Sequence, residues 1–333
     1  MVSIQVASEM GVFEMLCANP HSQTARELAA TKTLDYIFLE RLLRHLAATN
    51  VIAETSPGRY GTTPLCEELA SPEASGAIAF AVEVNYLLYS KVPQFWRQEN
   101  FALSSDSSST AWKFAMDTEK SYFEWLRANP QRLRQFMGLM KGFVQSRQPW
   151  YRTYPIERLI EDDDASGPFM VDIGGGGGHD LQSFMHAYPE TAGRLVLQDL
   201  SKEIETANVE AGIRKMTHDF FKQQPIDNAR VYFLHSVLHN WPDAKAVDIL
   251  KALKPTMKKG YSKVLLLEAV IPDQHPSEPV CAVDMRMMFL FGAKERSESA
   301  WRQLLTAAGM RVTGFWHPPD QGQCVIEAEL DDE

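Results

Sequence analysis

The stretch that most constrains this chain is Phe169-Met-Val-Asp-Ile173 running into five glycines, Gly174 to Gly178. Phe169 to Ile173 is an apolar run of the length expected for a buried parallel strand. Asp180 to Tyr188 follows with helical spacing of Leu181, Phe184 and Met185. Strand, glycine turn and helix together bring bare backbone against a nucleotide-like ligand in an α/β fold. A second strand, Arg194 to Leu197, leads to Asp199, 21 residues beyond Gly178. A carboxylate at that place accepts hydrogen bonds from both ribose hydroxyls.

A dinucleotide fingerprint requires Gly-x-Gly-x-x-Gly, whose third glycine allows close helix–strand contact. Counted from Gly174 that position is His179, and counted from Gly176 it is Leu181. The missing glycine, with Asp172 inside the strand, matches Asp-x-Gly-x-Gly-x-Gly, the pattern of enzymes that bind S-adenosylmethionine (SAM). A nicotinamide site and a plain glycine-rich surface loop are the competing readings, and the flanking strand with its spaced acid counts against the loop.

The 333 residues suffice for two domains, and 45% hydrophobic and 23% charged residues are ordinary for a globular enzyme. A net charge of −10 disfavours nucleic acid as the main partner, because phosphate binding needs a basic surface. Cys17, Cys66, Cys281 and Cys324 are scattered with no Cys-x-x-Cys, which implies reduced thiols, a cytoplasmic setting and no structural metal site. No apolar run reaches membrane length, and Glu9 and Glu14 in the first helical pattern are unlike a signal peptide.

From the start, residues 2–17 place Ile4, Val6, Met10, Phe13 and Leu16 at the intervals of one helix. Thr24 and Glu27 form a capping box at the head of a short helix ending at Ala30. Asp35 to Thr49 predicts a second helix striped with Leu39, Leu42, Leu43 and Leu46. Val51 to Glu54 and Tyr60 to Thr63, joined by Ser56-Pro-Gly-Arg59, read as a two-stranded wing. Between Ser22 and Thr63 five basic residues face four acidic ones, and the second helix carries leucines in place of groove-reading polar groups. This winged helix is therefore read as a structural or dimerisation unit, with a DNA-binding regulator as the reading from another class. Apolar helices are expected over 77–88, 112–129 and 130–144, with a serine-rich loop at 101–110; their aromatic and methionine stripes suit core or dimer interface. The boundary is placed near residue 150: a helical capping domain over 1–150 and a cofactor domain over 151–333.

Beyond Asp199, a helix is expected over 202–210, then Asp219 at the end of a strand, where it accepts from an adenine amino group while Phe220 or Phe221 packs on the ring. Strands at 230–234 and 263–268 bracket His239-Asn-Trp-Pro-Asp243 and a helix over 244–253. A methionine-rich helix covers Asp284 to Phe291. Lys294-Glu295-Arg296 is expected to open a last helix to Ala308, before an antiparallel pair at 311–316 and 323–328.

Asp172-Ile-Gly-Gly-Gly, Gln198-Asp199, His239-Asn-Trp-Pro-Asp and Lys294-Glu-Arg, in this order, resemble the SAM-dependent O-methyltransferases of plant and fungal natural-product pathways. The resemblance spans almost the whole chain. It implies an α/β fold, a Rossmann-like SAM-binding domain with a mostly parallel seven-stranded sheet and an antiparallel last strand. It also implies a winged-helix dimerisation domain in front, an intertwined homodimer and a small-molecule substrate. By the same resemblance His239 is the general base, flanked by Glu268 and Glu295. SAM is expected on Asp172, Gly174, Gly175, Gly176, Asp199, Leu200, Asp219, Phe220 and His235. Substrate contacts are expected from Met137, Asn240, Asp284, Met287 and Met288.

The chemistry agrees with those residue types. A phenol or enol must lose its proton as it attacks a methyl sulfonium, and a histidine near its ordinary pKa accepts that proton at neutral pH. A carboxylate beside it fixes the tautomer and stabilises the imidazolium. Three departures from the family pattern stand out: Asn240 replaces an aspartate, His235 replaces a lysine or arginine, and few residues precede Met10-Gly-Val-Phe13, where relatives carry a few dozen. The first two raise an alternative among fungal relatives. These pericyclases retain SAM as a fixed charge and guide dehydration or cyclisation of a polyketide–pyridone substrate.

Overall fold

The computed structural model describes residues 1–103, 109–145, 148–165, 167–319 and 322–331, with the side chains of 141–145 left aside. The chain divides into two compact units, one of residues 1–102 and 111–146, the other of 103–110 and 147–333.

In the first unit α1 (Val2–Met10) and α2 (Val12–Cys17) replace the single helix expected over 2–17. The break is Gly11, whose φ of 72° ends one helix and begins the next. Strand β1 (Gln23–Thr24) enters α3 (Ala25–Lys32) through the expected Thr24–Glu27 capping box. Helix α4 (Tyr36–Ala48) starts at Asp35, whose carboxylate accepts from the amides of Ile37 and Phe38. Strands β2 (Ala53–Ser56) and β3 (Arg59–Gly61) form the wing, and β1 pairs with β3, so the sheet has three strands where two were expected. Leu39, Leu42, Leu43 and Leu46 of α4 pack with Phe13, Leu16, Leu28 and Tyr60 as one core.

Next come α5 (Pro64–Leu69) and α6 (Pro72–Phe80), then a wider π-type turn over Ala81–Asn85 and α7 (Tyr86–Gln98). The helix expected over 77–88 is thus the middle of a longer series. The loop expected at 101–110 falls largely on 104–108, outside the described residues. Residues 112–129 form two helices, α8 (Ala111–Met116) and α9 (Tyr122–Ala128). Asp117 with φ 48° breaks the first, and a Ser121–Glu124 capping box starts the second. Helix α10 (Pro130–Gln145) closes the unit.

The second unit opens with α11 (Glu157–Ile160) and strand β4 (Met170–Ile173). Then follow α12 (His179–Ala187), β5 (Leu195–Asp199), α13 (Ser201–Thr206), β6 (Ile213–Thr217), β7 (Val231–His235), α14 (Asp243–Leu253), β8 (Lys263–Glu268) and β9 (Val270–Ile271). The chain ends with α15 (Glu278–Phe291), β10 (Arg296–Ser297), α16 (Glu298–Ala307), β11 (Met310–Trp316) and β12 (Cys324–Leu330). Seven strands form one sheet in the order β11-β12-β8-β7-β4-β5-β6. All neighbours run parallel except β12, which is antiparallel to both β8 and β11. Alternate residues feed two cores: Val231 and Phe233 pack with Phe184 and Trp150, while Tyr232 and Leu234 pack with Ile249 and Trp301.

After β6 the chain crosses to the other side of β4, so β4 has β5 on one flank and β7 on the other. Ligands of open α/β sheets bind outside the carboxyl ends of the strands at such a switch point. The glycine run lies directly after β4. One element differs from expectation in a way that matters here: the last helix does not begin at Lys294. Arg296 and Ser297 pair with Val270 and Ile271 as a two-residue parallel ladder, and Ser297 caps α16. Glu295 therefore sits on a loop ahead of that ladder.

Candidate active site

The glycine turn is built by backbone. Gly174, Gly176 and Gly178 adopt φ of 75°, 54° and 76°, a region that side chains avoid. Gly175 is glycine for another reason: a Cβ there would collide with the Asp172 carboxylate and come within 2.6 Å of Leu197 Cδ1. Asp199 closes the turn, accepting from the amides of Gly176 (2.9 Å) and Leu200 (2.7 Å). Its neighbour Gln198 is locked in a reciprocal amide pair with Gln224, at 2.8 and 2.9 Å, which holds the end of β5.

Asp172 is 1% exposed, and neither carboxylate oxygen has a hydrogen-bond partner. Burial, reinforced by Asp180, pushes its pKa well above the usual carboxylate range. An orphaned buried acid beside a glycine cradle suits a ligand that brings its own hydrogen-bond donors. Asp219, past the end of β6, turns its Oδ1 to the Phe221 amide at 3.0 Å. Phe220 packs 3.7 Å from where a Gly174 side chain would begin, and both Phe220 and Phe221 meet Trp241 edge-on. Leu200 is 40% exposed at the mouth of the turn. These residues form a cradle that could hold an adenosyl group with an amino-acid tail.

The second half of the site lies past β7 and β8. His239 Nδ1 donates to Glu295 Oε1 at 2.7 Å and lies 3.9 Å from Glu268 Oε2. Glu268, fully buried at the end of β8, accepts with its other oxygen from the amides of Val237 (3.1 Å) and Leu238 (2.9 Å). It thereby fixes the turn that carries His239. Burial opposes charge on His239, but Glu268 and Glu295 outweigh it and raise its pKa above 6.5. Burial likewise raises Glu268 above its ordinary value, against the pull of His239. With Nδ1 committed to Glu295, Nε2 remains to accept a proton. One ligand atom from each of the three residues lies within 4.8 Å of the others, so the cluster has metal-like spacing as well.

His235, expected at the cofactor, is engaged at both ring nitrogens. Nδ1 faces Asp180 Oδ2 at 2.6 Å and Nε2 faces Gln323 Oε1 at 2.8 Å. Both partners accept, so both nitrogens carry hydrogen and the ring is an imidazolium. Burial works against that charge, yet the Asp180 carboxylate lifts the pKa to about 9. His235 thus supplies a fixed positive charge with no N–H to spare.

Of the expected substrate residues, Asn240 donates from Nδ2 to the Ser236 carbonyl at 3.0 Å, within its own turn. Asp284, on α15, accepts from the Glu295 amide at 2.8 Å and so holds the loop bearing that carboxylate. Met287 is buried and Met288 half-buried on the same helix. Met137 lies on α10 of the first unit, 45% exposed. Sequence reasoning gave no role of its own to Arg296, whose buried guanidinium donates to the carbonyls of Leu238 (3.1 Å) and Trp241 (2.8 Å) and to Asp243 (2.9 Å). Arginine next to an expected catalytic acid was the available signal. Asp180 and Gln323 were missed because only the fold brings them to His235.

Comparison with known proteins decides the family. Residues 119–311 match an O-methyltransferase domain and residues 2–72 an O-methyltransferase dimerisation domain. The chain belongs to the O-methyltransferase family. O-methyltransferase mfmE of Annulohypoxylon moriforme is 33% identical over 97% of this chain and 79% of its own length. Among solved structures, OxaC in complex with SAH and oxaline superposes with a TM-score of 0.86 at 25% identity, covering 99% of this O-methyltransferase homologue and 84% of OxaC. A pericyclic reaction enzyme superposes at 0.90 with 27% identity, covering 99% and 86%. No helix among the described residues is long and apolar enough to cross a membrane. All four cysteines are free thiols.

Proposed function

We propose that this protein is a SAM-dependent O-methyltransferase acting on a phenolic or enolic hydroxyl of a small secondary metabolite, as a homodimer joined through its winged-helix unit. The observation that carries the reading is the His239–Glu295 hydrogen bond at 2.7 Å, backed by buried Glu268. The glycine turn, Asp172 and Asp199 would hold the cofactor, with Asp219 and Phe220 at its base. When bound, SAM supplies a methyl group on an electron-poor sulfonium. His239 Nε2 takes the hydroxyl proton as the oxygen attacks, while Nδ1–H stays donated to Glu295. The resulting imidazolium is stabilised by two carboxylates, which a buried site makes effective. Neither Glu needs to accept the proton. The rest of the acceleration is alignment of nucleophile and methyl.

A second reading keeps the fold and cofactor but not the transfer: a pericyclase using the bound sulfonium as a fixed charge. The superposition on a pericyclic reaction enzyme and the His235 imidazolium in the family's lysine or arginine position favour it. One experiment separates the two. The protein is incubated with SAM and a panel of phenols, enols and polyketide–pyridones, and S-adenosylhomocysteine is quantified against product. Equimolar accumulation supports methyl transfer; product without S-adenosylhomocysteine supports the pericyclase; neither turnover nor SAM binding would sink both.

A further inference from the structure

Ser236 follows His235 at the start of the turn that carries His239, and it stands at φ 53°. A non-glycine residue there is strained and must be held by its surroundings. Each of its polar groups is held. The amide donates to the Leu267 carbonyl at 3.0 Å, the carbonyl accepts from Asn240 Nδ2 at 3.0 Å, and Oγ accepts from Gln323 Nε2 at 2.6 Å. Gln323 comes from the entrance of β12, 87 residues away in sequence.

The side-chain amide of Gln323 turns its oxygen to His235 Nε2 and its NH2 to Ser236 Oγ. His235 thus meets one end of the amide, the other end holds Ser236, and the Ser236 carbonyl receives Asn240, the residue next to His239. Four elements are joined by this chain: α12 through Asp180, β7 through His235, β12 through Gln323, and the turn at 236–240.

We propose that Gln323 and Ser236 are positioning residues, a two-part clamp that orients His239 against Glu295. This rests on the reading of His239 as the general base. It also gives Asn240 a purpose: its amide donates to the strained carbonyl, which an aspartate would repel. The clamp touches neither reacting atom and acts only through the turn.

The test uses the full-length protein with Ser236→Gly, Gln323→Met and the double variant. Glycine accepts φ 53° freely, so Ser236→Gly should keep or raise the melting temperature. Turnover should nevertheless fall about 10–100-fold, the cost of a misplaced catalytic group. Gln323→Met keeps length but loses both polar ends and should show a similar loss. The double variant should be no worse than either single one, since the two act as a unit. Histidine-selective nitrogen labelling reads the geometry directly: the His239 Nδ1 resonance should move in all three. Full turnover with an unmoved resonance, or losses that simply multiply in the double variant, would overturn the clamp. If the wild type transfers no methyl, the functional reading fails, and the His239 resonance still decides the clamp alone. Should Gln323→Met not fold, Ser236→Gly carries the same two readouts.

Discussion

The two flanks of the switch point are built from different materials. At the ends of β4 and β5 the site is mostly backbone: three glycines in left-handed conformations, two amides on Asp199, and one buried acid with no protein partner. At the ends of β7 and β8 it is side chain: an imidazole, two carboxylates and an arginine that ties down the turn. The first flank leaves both oxygens of Asp172 without a protein partner. The second ties its imidazole at Nδ1 and leaves Nε2 open, with Glu268 Oε2 and Glu295 Oε2 buried and unpartnered beside the ring. The first flank is shaped by backbone, whereas the second keeps an imidazole held and oriented by a carboxylate.

That contrast is open to attack, and the sharpest blow falls on the second flank. His239→Ala should lower turnover by roughly 10²–10⁴, the ordinary worth of a positioned general base, measured as product formation at saturating SAM and substrate. On the first flank Gly175→Ala drives a methyl into the Asp172 carboxylate and Leu197. It should cost about 1–3 kcal/mol of stability by overpacking, read by chemical denaturation. The same change made at Gly176, where a Cβ meets nothing within 4 Å, should strain only the backbone and cost less.

A finer test lies in pH. As the proposed base His239 would work only when unprotonated, and Glu268 and Glu295 raise its pKa above the ordinary histidine value. Turnover should therefore fall as pH drops through a midpoint above 6.5. Glu295→Gln removes one source of that rise, so the midpoint should move to lower pH along with a reduced maximum. A profile whose acid limb stays in place in Glu295→Gln would detach this carboxylate from His239.

How much of this was legible in the sequence follows the same division. The glycine run, Asp172 and Asp199 lie within one strand–turn–helix–strand unit, where spacing alone reveals the geometry. The seven-stranded sheet and its antiparallel last strand were legible with help from family resemblance. His239 and Glu295 are 56 residues apart, and no periodicity joins them. Their pairing was expected from resemblance and became visible when β10 placed Glu295 on a loop. The Lys294-Glu295-Arg296 segment was expected to open the last helix; its pairing with β9 depends on tertiary contact. Helix breaks at Gly11 and Asp117 were missed because the apolar stripes on either side continue across them. His235 was expected at the cofactor by family resemblance; Asp180 and Gln323, which meet its two ring nitrogens, come from α12 and the residue before β12.

The measurement that bears most directly on the division of labour is calorimetric titration of SAM into two variants side by side. Asp199→Ala removes the carboxylate that accepts from the glycine turn and that we propose for the ribose, so its affinity should fall about 10-fold or more, as expected for charge-assisted hydrogen bonds. His239→Ala should bind SAM within about twofold of wild type, because no cofactor contact is assigned to that ring. If His239→Ala loses SAM while Asp199→Ala keeps it, binding and proton transfer are not divided between the two flanks, and the account is wrong at its centre.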